Sequence, residues 1–270
     1  MGERPHAWSS RHPRITLRDI IKAMLIGKAV HSTQRVWLAP AYVLHQYAYR
    51  DTSRIVEVFT SEHGRRTLFA RGANGPKSTL RGVLRPFQRM LVSWTGKGEA
   101  CQLSTAEIDG VVTRLPPQRL MSGFYLNELL LKLTERCDPH PEIFFSYASC
   151  IQALCAGEIE EPTLRRFEKR LLNDLGYGLE LATTEAGAPV QQDQYYRYAV
   201  QSGPQPCVAE TPGAIYGQSL ADLRAECFGD ARSLRDAKRV LRAAINACLD
   251  GRSLKSREVM LALHHRQVGS

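Results

Sequence analysis

The stretch ARGANGPKSTLRGVLRPF, residues 70–87, carries four cationic side chains and no carboxylate. Arg71, Lys77, Arg81 and Arg85 recur every four to six residues on a backbone rich in small residues. Cations at this spacing, with little bulk between them, let a chain of phosphates approach closely. The stretch could bind a nucleotide or a nucleic-acid backbone, or it could be a solvated connection without a ligand.

The nucleotide alternative requires a loop of the form G-x-x-x-x-G-K-[ST], whose successive backbone N–H groups surround the phosphates at the start of a helix. Here Gly72 and Gly75 are three residues apart, and Pro76 separates Gly75 from Lys77. Proline also removes one of the N–H donors that such a loop needs. Another glycine and another proline follow, so only a short helix can form. These features exclude a nucleotide loop.

Further arginines extend the candidate polyanion surface on both sides of this stretch. A protein that neutralises several phosphates binds strongly, without sequence preference and in a salt-dependent way. Nearby aromatic side chains could stack on bases, although we expect at least half of them to lie in the core. The candidate nucleic-acid-binding residues are Arg50, Arg54, Arg65, Arg71, Lys77, Arg81, Arg85 and Arg89. The candidate stacking residues are Tyr47, Tyr49, Phe69 and Trp94.

The elements that must position these side chains are short strands between Val36 and about Asp109. Their β-branched and aromatic residues alternate with polar ones, and turn-prone stretches such as SEHG and TGKG separate them. Five strands in about 75 residues fit a small closed barrel, which leaves no sheet edge exposed. The predicted strands are 41–49, 54–60, 66–72, 87–94 and 100–108.

After Leu115 the spacing of apolar residues becomes helical. The predicted helices cover 118–136, 142–156, 162–175, 219–227, 233–248 and 253–264. Ser233, with Asp236 three residues later, is predicted to cap the fifth of them. Residues 182–219 are rich in Gly, Pro, Gln and Ser, which predicts an irregular insertion that could contain one short hairpin.

The positive charge of the chain is concentrated at one end. Residues 1–34 carry six Lys/Arg and two Asp/Glu, residues 35–110 carry eleven and six, and residues 111–270 carry nineteen of each. The surplus therefore lies in the first 110 residues, where we expect the electrostatic footprint of a polyanion site.

Other classes of function find little support in the sequence. The seven cysteines are irregularly spaced and include no CxxC pair, which favours a reducing cytoplasm over a disulfide framework. Cys207 and Cys227 cannot by themselves fill the four positions of a zinc site. No apolar run is long enough to cross a membrane. No GxSxG, HExxH or telling carboxylate pair occurs, so neither an enzyme nor a cofactor is predicted.

Several segments in the same order resemble the RecO family of bacterial DNA repair proteins. They are AYVLHQYAYRDTSRIVEVFTSEHGRRTLFARGA, KSTLRGVLRPF, GFYLNELLLKL, LRRFEKRLLNDLGYGLEL and SLRDAKRVLRAAINACLDGRSLKSRE. The resemblance implies an α+β protein in which an N-terminal OB-fold barrel precedes an all-helical domain with an irregular insertion. The expected division is a flexible extension at 1–34, a DNA-binding OB domain at 35–111 and a helical domain at 112–270 with the insertion at about 182–219.

The resemblance also implies partners and a role. Members of the family are cytoplasmic, nucleoid-associated recombination mediators that bind single- and double-stranded DNA and anneal complementary strands. They act with RecR, often with RecF, and help to load RecA onto DNA coated by SSB. The third helix resembles the docking site for the acidic C-terminal tail of SSB, with Arg165 as the candidate cation for the terminal carboxylate. The implied tail-binding residues are Leu164, Arg165, Phe167, Glu168, Lys169 and Leu172.

Two further interpretations remain open at this point. In the first, the chain is chiefly an adaptor, whose contacts with SSB and RecR are primary and whose contact with DNA is incidental. In the second, it is an RNA-binding OB protein. An enzyme with a cryptic site is the least favoured, and it would show nucleotide hydrolysis.

Overall fold

Five strands followed by helices make up most of residues 34–268, the part of the chain that the computed structural model describes. All of the predicted extension 1–34 except Gln34 lies outside these residues. The strands are β1 (Arg35–Tyr49), β2 (Ser53–Thr60), β3 (Gly64–Ala70), β4 (Arg89–Thr95), β5 (Ala100–Ile108), β6 (Tyr195–Ala199), β7 (Gly203–Cys207) and β8 (Ile215–Tyr216). The helices are α1 (Leu80–Val83), α2 (Leu120–Leu133), α3 (Pro141–Ala156), α4 (Glu160–Asp174), α5 (Gly217–Ala225), α6 (Ala231–Leu249) and α7 (Lys255–Val268).

The first five strands close into a barrel in the order β1-β2-β3-β5-β4, with β4 pairing back onto β1. All neighbouring strands are antiparallel except β3 and β5, which run parallel. The barrel interior is filled by aliphatic side chains and by Trp94, because inward and outward positions alternate along each strand. This architecture confirms the predicted α+β fold with an N-terminal OB-type barrel.

The outer face of the barrel shares a hydrophobic core with the helices. Tyr42, Phe59 and Phe87 from the barrel pack in the same buried cluster as the apolar faces of α2, α3, α4 and α6. Asn127 of α2 donates from Nδ2 to the carbonyl of Leu44, at 2.9 Å, and accepts from the Tyr147 hydroxyl at 2.6 Å. A buried amide is costly without such partners, so these bonds specify how α2 lies against β1.

A second junction joins the β2–β3 hairpin to the segment after α2. The Cys137 N–H donates to the Arg65 carbonyl at 3.0 Å, and a Cβ at Gly64 would overlap the backbone of Asp138. Gly64 has a φ of 63°, which glycine adopts without the strain that a side chain would impose. This close approach of two backbones therefore requires glycine.

The helices follow the predicted ones with one correction at a cap. Asp230, not Ser233, caps α6, because its carboxylate accepts from the backbone N–H of Arg232 at 2.6 Å and of Ser233 at 2.9 Å. Ser233 lies inside the first turn and donates its hydroxyl to Asp222. In the part of the chain that is described, no helix is long and apolar enough to span a membrane.

The insertion contains a three-stranded sheet in the order β7-β6-β8. Its β6–β7 hairpin corresponds to the hairpin that the insertion could contain, whereas the two-residue strand β8 was not predicted. Tyr196 is buried in the helical core and accepts the Gln191 N–H on its hydroxyl at 2.8 Å. The small sheet is thereby attached to the helical domain.

Candidate nucleic-acid interface

The β1–β2 turn and the connection after β3 meet at one edge of the barrel. The Asn74 N–H donates to the Thr52 carbonyl at 2.8 Å, and the Asn74 side-chain amide donates to the Ser53 carbonyl at 3.3 Å. Arg54 lies opposite Ala70 in the β2–β3 register, so Arg71 follows directly beside this turn. The edge therefore brings cations from two separate segments together.

Two arginines at this edge have defined orientations. Arg54 donates from Nη1 to the Gln46 side-chain oxygen at 2.8 Å, and from Nε to the side-chain oxygen of Asn74. The Arg50 guanidinium lies over the Tyr49 ring, 5.3 Å from its centroid. Because neutral partners hold both side chains, their charges remain available to a phosphate.

The connection after β3 presents its cations to solvent. Arg71, Lys77 and Arg81 are all exposed. Hydrogen bonds from Gly75 N–H to the Gly72 carbonyl and from Ser78 N–H to the Gly75 carbonyl, each 3.0 Å, fold it into successive turns. The single turn of α1 follows, as the nearby glycine and proline predicted. These turns hold the three cations on a short structured loop.

Arg85 is half-buried behind this loop. Its Nε atom is buried and has no hydrogen-bond partner among the described residues. The next residue, Pro86, pairs with Val43, well along β1 from the β1–β2 turn, so Arg85 lies apart from the other cations. We call Arg50, Arg54, Arg71, Lys77 and Arg81 the basic edge.

Arg65 and Arg89 differ from the cations of the basic edge because both have strong partners within the protein. Arg65 donates from Nε and Nη2 to the Thr134 carbonyl, at 3.1 and 2.7 Å, and burial lowers its pKa. It therefore connects the barrel to the helices. Arg89 pairs with Asp109 at 2.6 Å, so its charge is largely compensated within the protein. Sequence alone could not distinguish these two arginines from those of the basic edge.

The candidate stacking residues divide in the expected way. Trp94 is 2% exposed in the barrel interior, and Phe69 is buried beside Ile55. Tyr47 is 42% exposed, and Tyr49 is half-buried with the Arg50 guanidinium over its ring. Tyr47 and Tyr49 are thus the two aromatic side chains of the set that a ligand could reach.

A cleft of about 350 Å³ lies between α2, α4, α6 and α7. Cations, acids and apolar side chains all contribute to its walls. Leu164, Met260 and Leu261 supply apolar surface, and Leu261 is 54% exposed at the rim. Its other lining residues are Ser122, Tyr125, Glu160, Glu161, Arg165, Glu168, Lys238, Arg242 and Arg257. A ligand with both apolar and negatively charged groups fits such a lining.

Arg165 and Glu168 form a buried ion pair in this cleft. The Arg165 Nη2 lies 2.8 Å from the Glu168 Oε1, which also accepts the Tyr125 hydroxyl at 2.7 Å. Burial, together with the neighbouring Glu168 carboxylate, raises the pKa of Tyr125. Arg257 donates to the Tyr125 oxygen at 3.2 Å. The Arg165 Nε and Glu168 Oε2 are buried without partners among the described residues, so the pair retains hydrogen-bonding capacity.

The structure places the residues of the tail-binding set in different surroundings. Leu164, Arg165 and Glu168 line the cleft. Phe167 and Leu172 are buried in the shared core on another side of α4, where they hold the helix rather than face a ligand. Lys169 lies 3.3 Å from Glu226. Burial opposes ionisation of Glu226, but Arg170 and Lys169 outweigh it and lower its pKa.

Several cleft residues were missed because they come from distant segments. Arg257 lies in the SLKSRE segment and Arg242 in the preceding helix, and both are visible in the sequence only as ordinary surface cations. In the sequence, Met260 and Leu261 appear only as apolar residues of a predicted helix, and nothing marks them as ligand contacts. The packing of α7 against α2 and of α6 against α4 brings them to α4.

Metal ligands are not clustered in the described part of the chain. Within residues 34–262, no group of three or more His, Cys, Asp or Glu is placed to hold a metal ion. Cys207 and Cys227 are both free thiols.

Comparisons with known proteins match both halves of the chain. Residues 35–110 match the family model described as Recombination protein O N terminal, and residues 114–258 match Recombination protein O C terminal. DNA repair protein RecO of an Azoarcus species is 43% identical over 238 residues, which cover 85% of this chain and 97% of that protein. The Methylococcus capsulatus protein of the same name is 42% identical over 226 residues, covering 83% and 93%. The Coxiella burnetii protein is 40% identical over 230 residues, covering 84% and 99%.

Proposed function

The chain belongs to the RecO family of DNA repair proteins, and we propose that it is a recombination mediator that binds DNA through the basic edge. In this role it binds single- and double-stranded DNA in the cytoplasm, at the nucleoid, and anneals complementary strands. With RecR, and with RecF where that protein takes part, it helps RecA to load onto DNA coated by SSB. It performs no catalytic turnover in this role.

The convergence of cations at the basic edge carries the proposal. Arg50 and Arg54 come from the β1–β2 region, and Arg71 and Lys77 come from the connection after β3. The Asn74 bonds hold these two segments together. A phosphate backbone that crosses this edge can meet several cations at once, while Tyr47 and Tyr49 offer surfaces for base stacking.

Charge reversal tests the basic edge. The triple variant Arg71→Glu, Lys77→Glu, Arg81→Glu should bind single-stranded DNA weakly, and the slope of log affinity against log salt should fall by about 2. The matched control Arg71→Lys, Lys77→Arg, Arg81→Lys keeps every charge and should retain binding and annealing. Fluorescence anisotropy across a salt series measures both. A flat salt dependence in the wild-type protein would sink the proposal.

The cleft supports contact with the SSB tail as a second part of the same function. Its cations can hold acidic residues and a terminal carboxylate, and a planar guanidinium can do so with two hydrogen bonds. Its apolar wall of Leu164, Met260 and Leu261 can receive an apolar side chain. This combination matches an acidic tail better than it matches a bare phosphate chain.

Two variants test the cleft by strand annealing on bare and on SSB-coated DNA. Arg165→Ala removes the cation but leaves Glu168 as a buried unpaired carboxylate, which would also destabilise the fold. Leu261→Glu changes an exposed rim residue and avoids that cost. Loss of annealing on coated DNA alone is expected for both. Equal loss on bare and coated DNA by Leu261→Glu would refute the cleft assignment.

The same experiments decide between the alternatives. An adaptor would retain its cellular repair activity in the basic-edge triple variant, provided that tail binding survives. An RNA-binding protein would prefer RNA over DNA of matched sequence in competition. Nucleotide hydrolysis in the presence or absence of DNA would indicate an enzyme.

A further inference from the structure

The outward face of α6 is strongly basic although the helical half of the chain is neutral overall. From Ala231 to Arg242 every exposed side chain other than alanine is cationic. These exposed cations are Arg232, Arg235, Lys238, Arg239 and Arg242. The only carboxylate in the sequence of α6, Asp236, is buried. The acids that balance the charge of this half of the chain therefore lie elsewhere.

Four of these cations form one row, which we call the arginine ridge: Arg232, Arg235, Arg239 and Arg242. Their spacing of three, four and three residues places them on one side of a helix, over a length of about 15 Å. The opposite side, including Val240 and Leu241, is buried in the shared core. Because the apolar side of α6 must face inward, the arginines must face solvent.

Three carboxylates near the ridge are already engaged. Asp230 caps α6, and its charge attracts Arg232 at the N-terminal end of the row. Asp236 lies 3.8 Å from Arg239 and accepts the Tyr216 N–H at 3.4 Å. Glu161 accepts a hydrogen bond at 2.7 Å from Lys238, beside the ridge, and that bond lowers the pKa of Glu161. Each of these acids balances one cation, so the row as a whole keeps a positive charge.

An aromatic pair lies at the N-terminal end of the ridge. The rings of Tyr195 and Tyr216 have centroids 5.2 Å apart, and both residues are partly exposed. The Arg232 guanidinium lies over the Tyr216 ring at 5.1 Å, and Arg239 donates to the Ala214 carbonyl at 3.1 Å. Partly exposed rings beside guanidinium groups are the combination with which proteins bind unpaired bases and their phosphates.

We propose that the arginine ridge and the Tyr195–Tyr216 pair form a second surface for single-stranded nucleic acid, separate from the basic edge. The surface takes the sugar–phosphate backbone along the guanidinium row and a base against the tyrosine pair. An acidic peptide would use the cations but would leave the aromatic pair without a function, so a polynucleotide fits more of the surface.

The position of α6 makes the two surfaces independent. It packs against α2, α4, α5 and β8, whereas the basic edge belongs to the barrel. Annealing requires that one molecule, or one complex, hold two strands at once. The inference rests on the proposed function for the first strand and assigns the second strand to the arginine ridge.

Fluorescence energy transfer between two DNA strands bound to the full-length protein tests the inference. The strands are two oligothymidylates, one with a donor and one with an acceptor dye, which cannot pair with each other. Transfer is expected with the wild-type protein and should be lost with Arg232→Glu, Arg235→Glu, while one strand still binds. The salt slope of total binding should fall by about 1.4, because two phosphate contacts are lost.

A control variant with the same change in net charge distinguishes an effect of the arginine ridge from a general effect of net charge. Arg114→Glu, Arg224→Glu reverses two exposed arginines outside both surfaces and should leave transfer unchanged. Arg235→Glu alone repeats the test without removing the arginine that lies over Tyr216.

Three outcomes would overturn the inference. Energy transfer could be unchanged in Arg232→Glu, Arg235→Glu, or it could be lost equally in the control variant. The ridge variant could also lose binding of an acidic peptide while it still binds both strands. Failure of the proposed function looks different, because the basic-edge triple variant would then bind the first strand as wild type does.

Discussion

Glu128 of α2 holds the N-terminus of α7 in place and is the most informative residue to perturb. Its carboxylate accepts the N–H of Lys255 at 2.9 Å, the N–H of Ser256 at 2.8 Å and the hydroxyl of Ser256 at 2.6 Å. The first N–H groups of a helix have no partner within it, so a carboxylate from another helix caps α7. Since α7 carries Arg257 and Leu261, this cap also positions one wall of the cleft.

The size of the effect follows from these bonds. A hydrogen bond to a charged group contributes about 1.5–3 kcal/mol, and the Lys132 ion pair at 3.3 Å adds little because it is partly exposed. The Glu128 side chain is 15% exposed, so water replaces some of the lost bonds. We expect Glu128→Ala to cost about 2–4 kcal/mol and Glu128→Gln, which keeps one acceptor oxygen, about half of that.

Hydrogen exchange of the α7 amides measures this cost locally. Protection in α7 should fall by roughly 30- to 1,000-fold in Glu128→Ala, while α3 amides keep theirs. The affinity of this variant for an acidic tail peptide should fall together with the α7 protection. Equal loss of protection in α3, or a fall in α7 of less than about tenfold, would refute the idea that Glu128 acts through α7.

The same cap gives a pH dependence with a definite sign. Burial opposes ionisation of Glu128, but the Ser256 and Lys255 hydrogen bonds outweigh it, so its pKa lies below its usual range. A carboxylate with a lowered folded-state pKa contributes stability that is complete above its unfolded value, about 4.3. That contribution is lost as the pH falls through the folded value. In Glu128→Gln the α7 protection should no longer change across this acid range.

Two further substitutions test the junction and the corrected cap. Gly64→Ala should lower the urea midpoint strongly, because the new Cβ would overlap Asp138 and the backbone at this position is left-handed. The control Gly98→Ala is also left-handed but in open space, so it should lower the free energy of unfolding by only about 1–2 kcal/mol. Asp230→Ala should lower the urea midpoint through loss of the α6 cap, and Asp230→Asn should lower it much less. A loss of stability in Ser233→Ala but none in Asp230→Ala would instead support Ser233 as the cap.

The barrel could be predicted because its sequence pattern is local. Alternating β-branched and aromatic residues define each strand, and short turns separate them, so four of the five strands were predicted within two residues of their bounds. The β1 strand was missed at its start, where Leu38 has a φ of 48° and the pairing with β4 shifts register. Such an irregularity interrupts the alternation of inward and outward residues. The strand β8 has only two residues, which is too short for an alternating pattern to be recognised.

The site could be predicted only as a list of cations. Sequence distinguishes an arginine from a leucine, but not an exposed arginine from one that the fold has engaged. Arg65 bonds a carbonyl across the domain junction, and Arg165 is buried against Glu168. These partners lie far along the chain or on a helix face whose burial depends on other helices. The cleft could not be predicted for the same reason, because its lining residues come from helices that are far apart in the sequence.

A neutral total charge concealed the basic face of α6. The tally for residues 111–270 predicted that any electrostatic footprint would lie in the first 110 residues, because nineteen cations and nineteen acids cancel in the rest of the chain. Cancellation in a sum does not require cancellation on a surface. In α6 the buried side takes the apolar residues and Asp236, so the cations are left on the exposed side. Acids that offset these cations only in the total, such as Glu168 and Glu226, pair with the α4 cations Arg165 and Lys169 instead. Amphipathic burial alone thus separates the charges, and the search for polyanion surfaces has to follow exposed faces rather than segments.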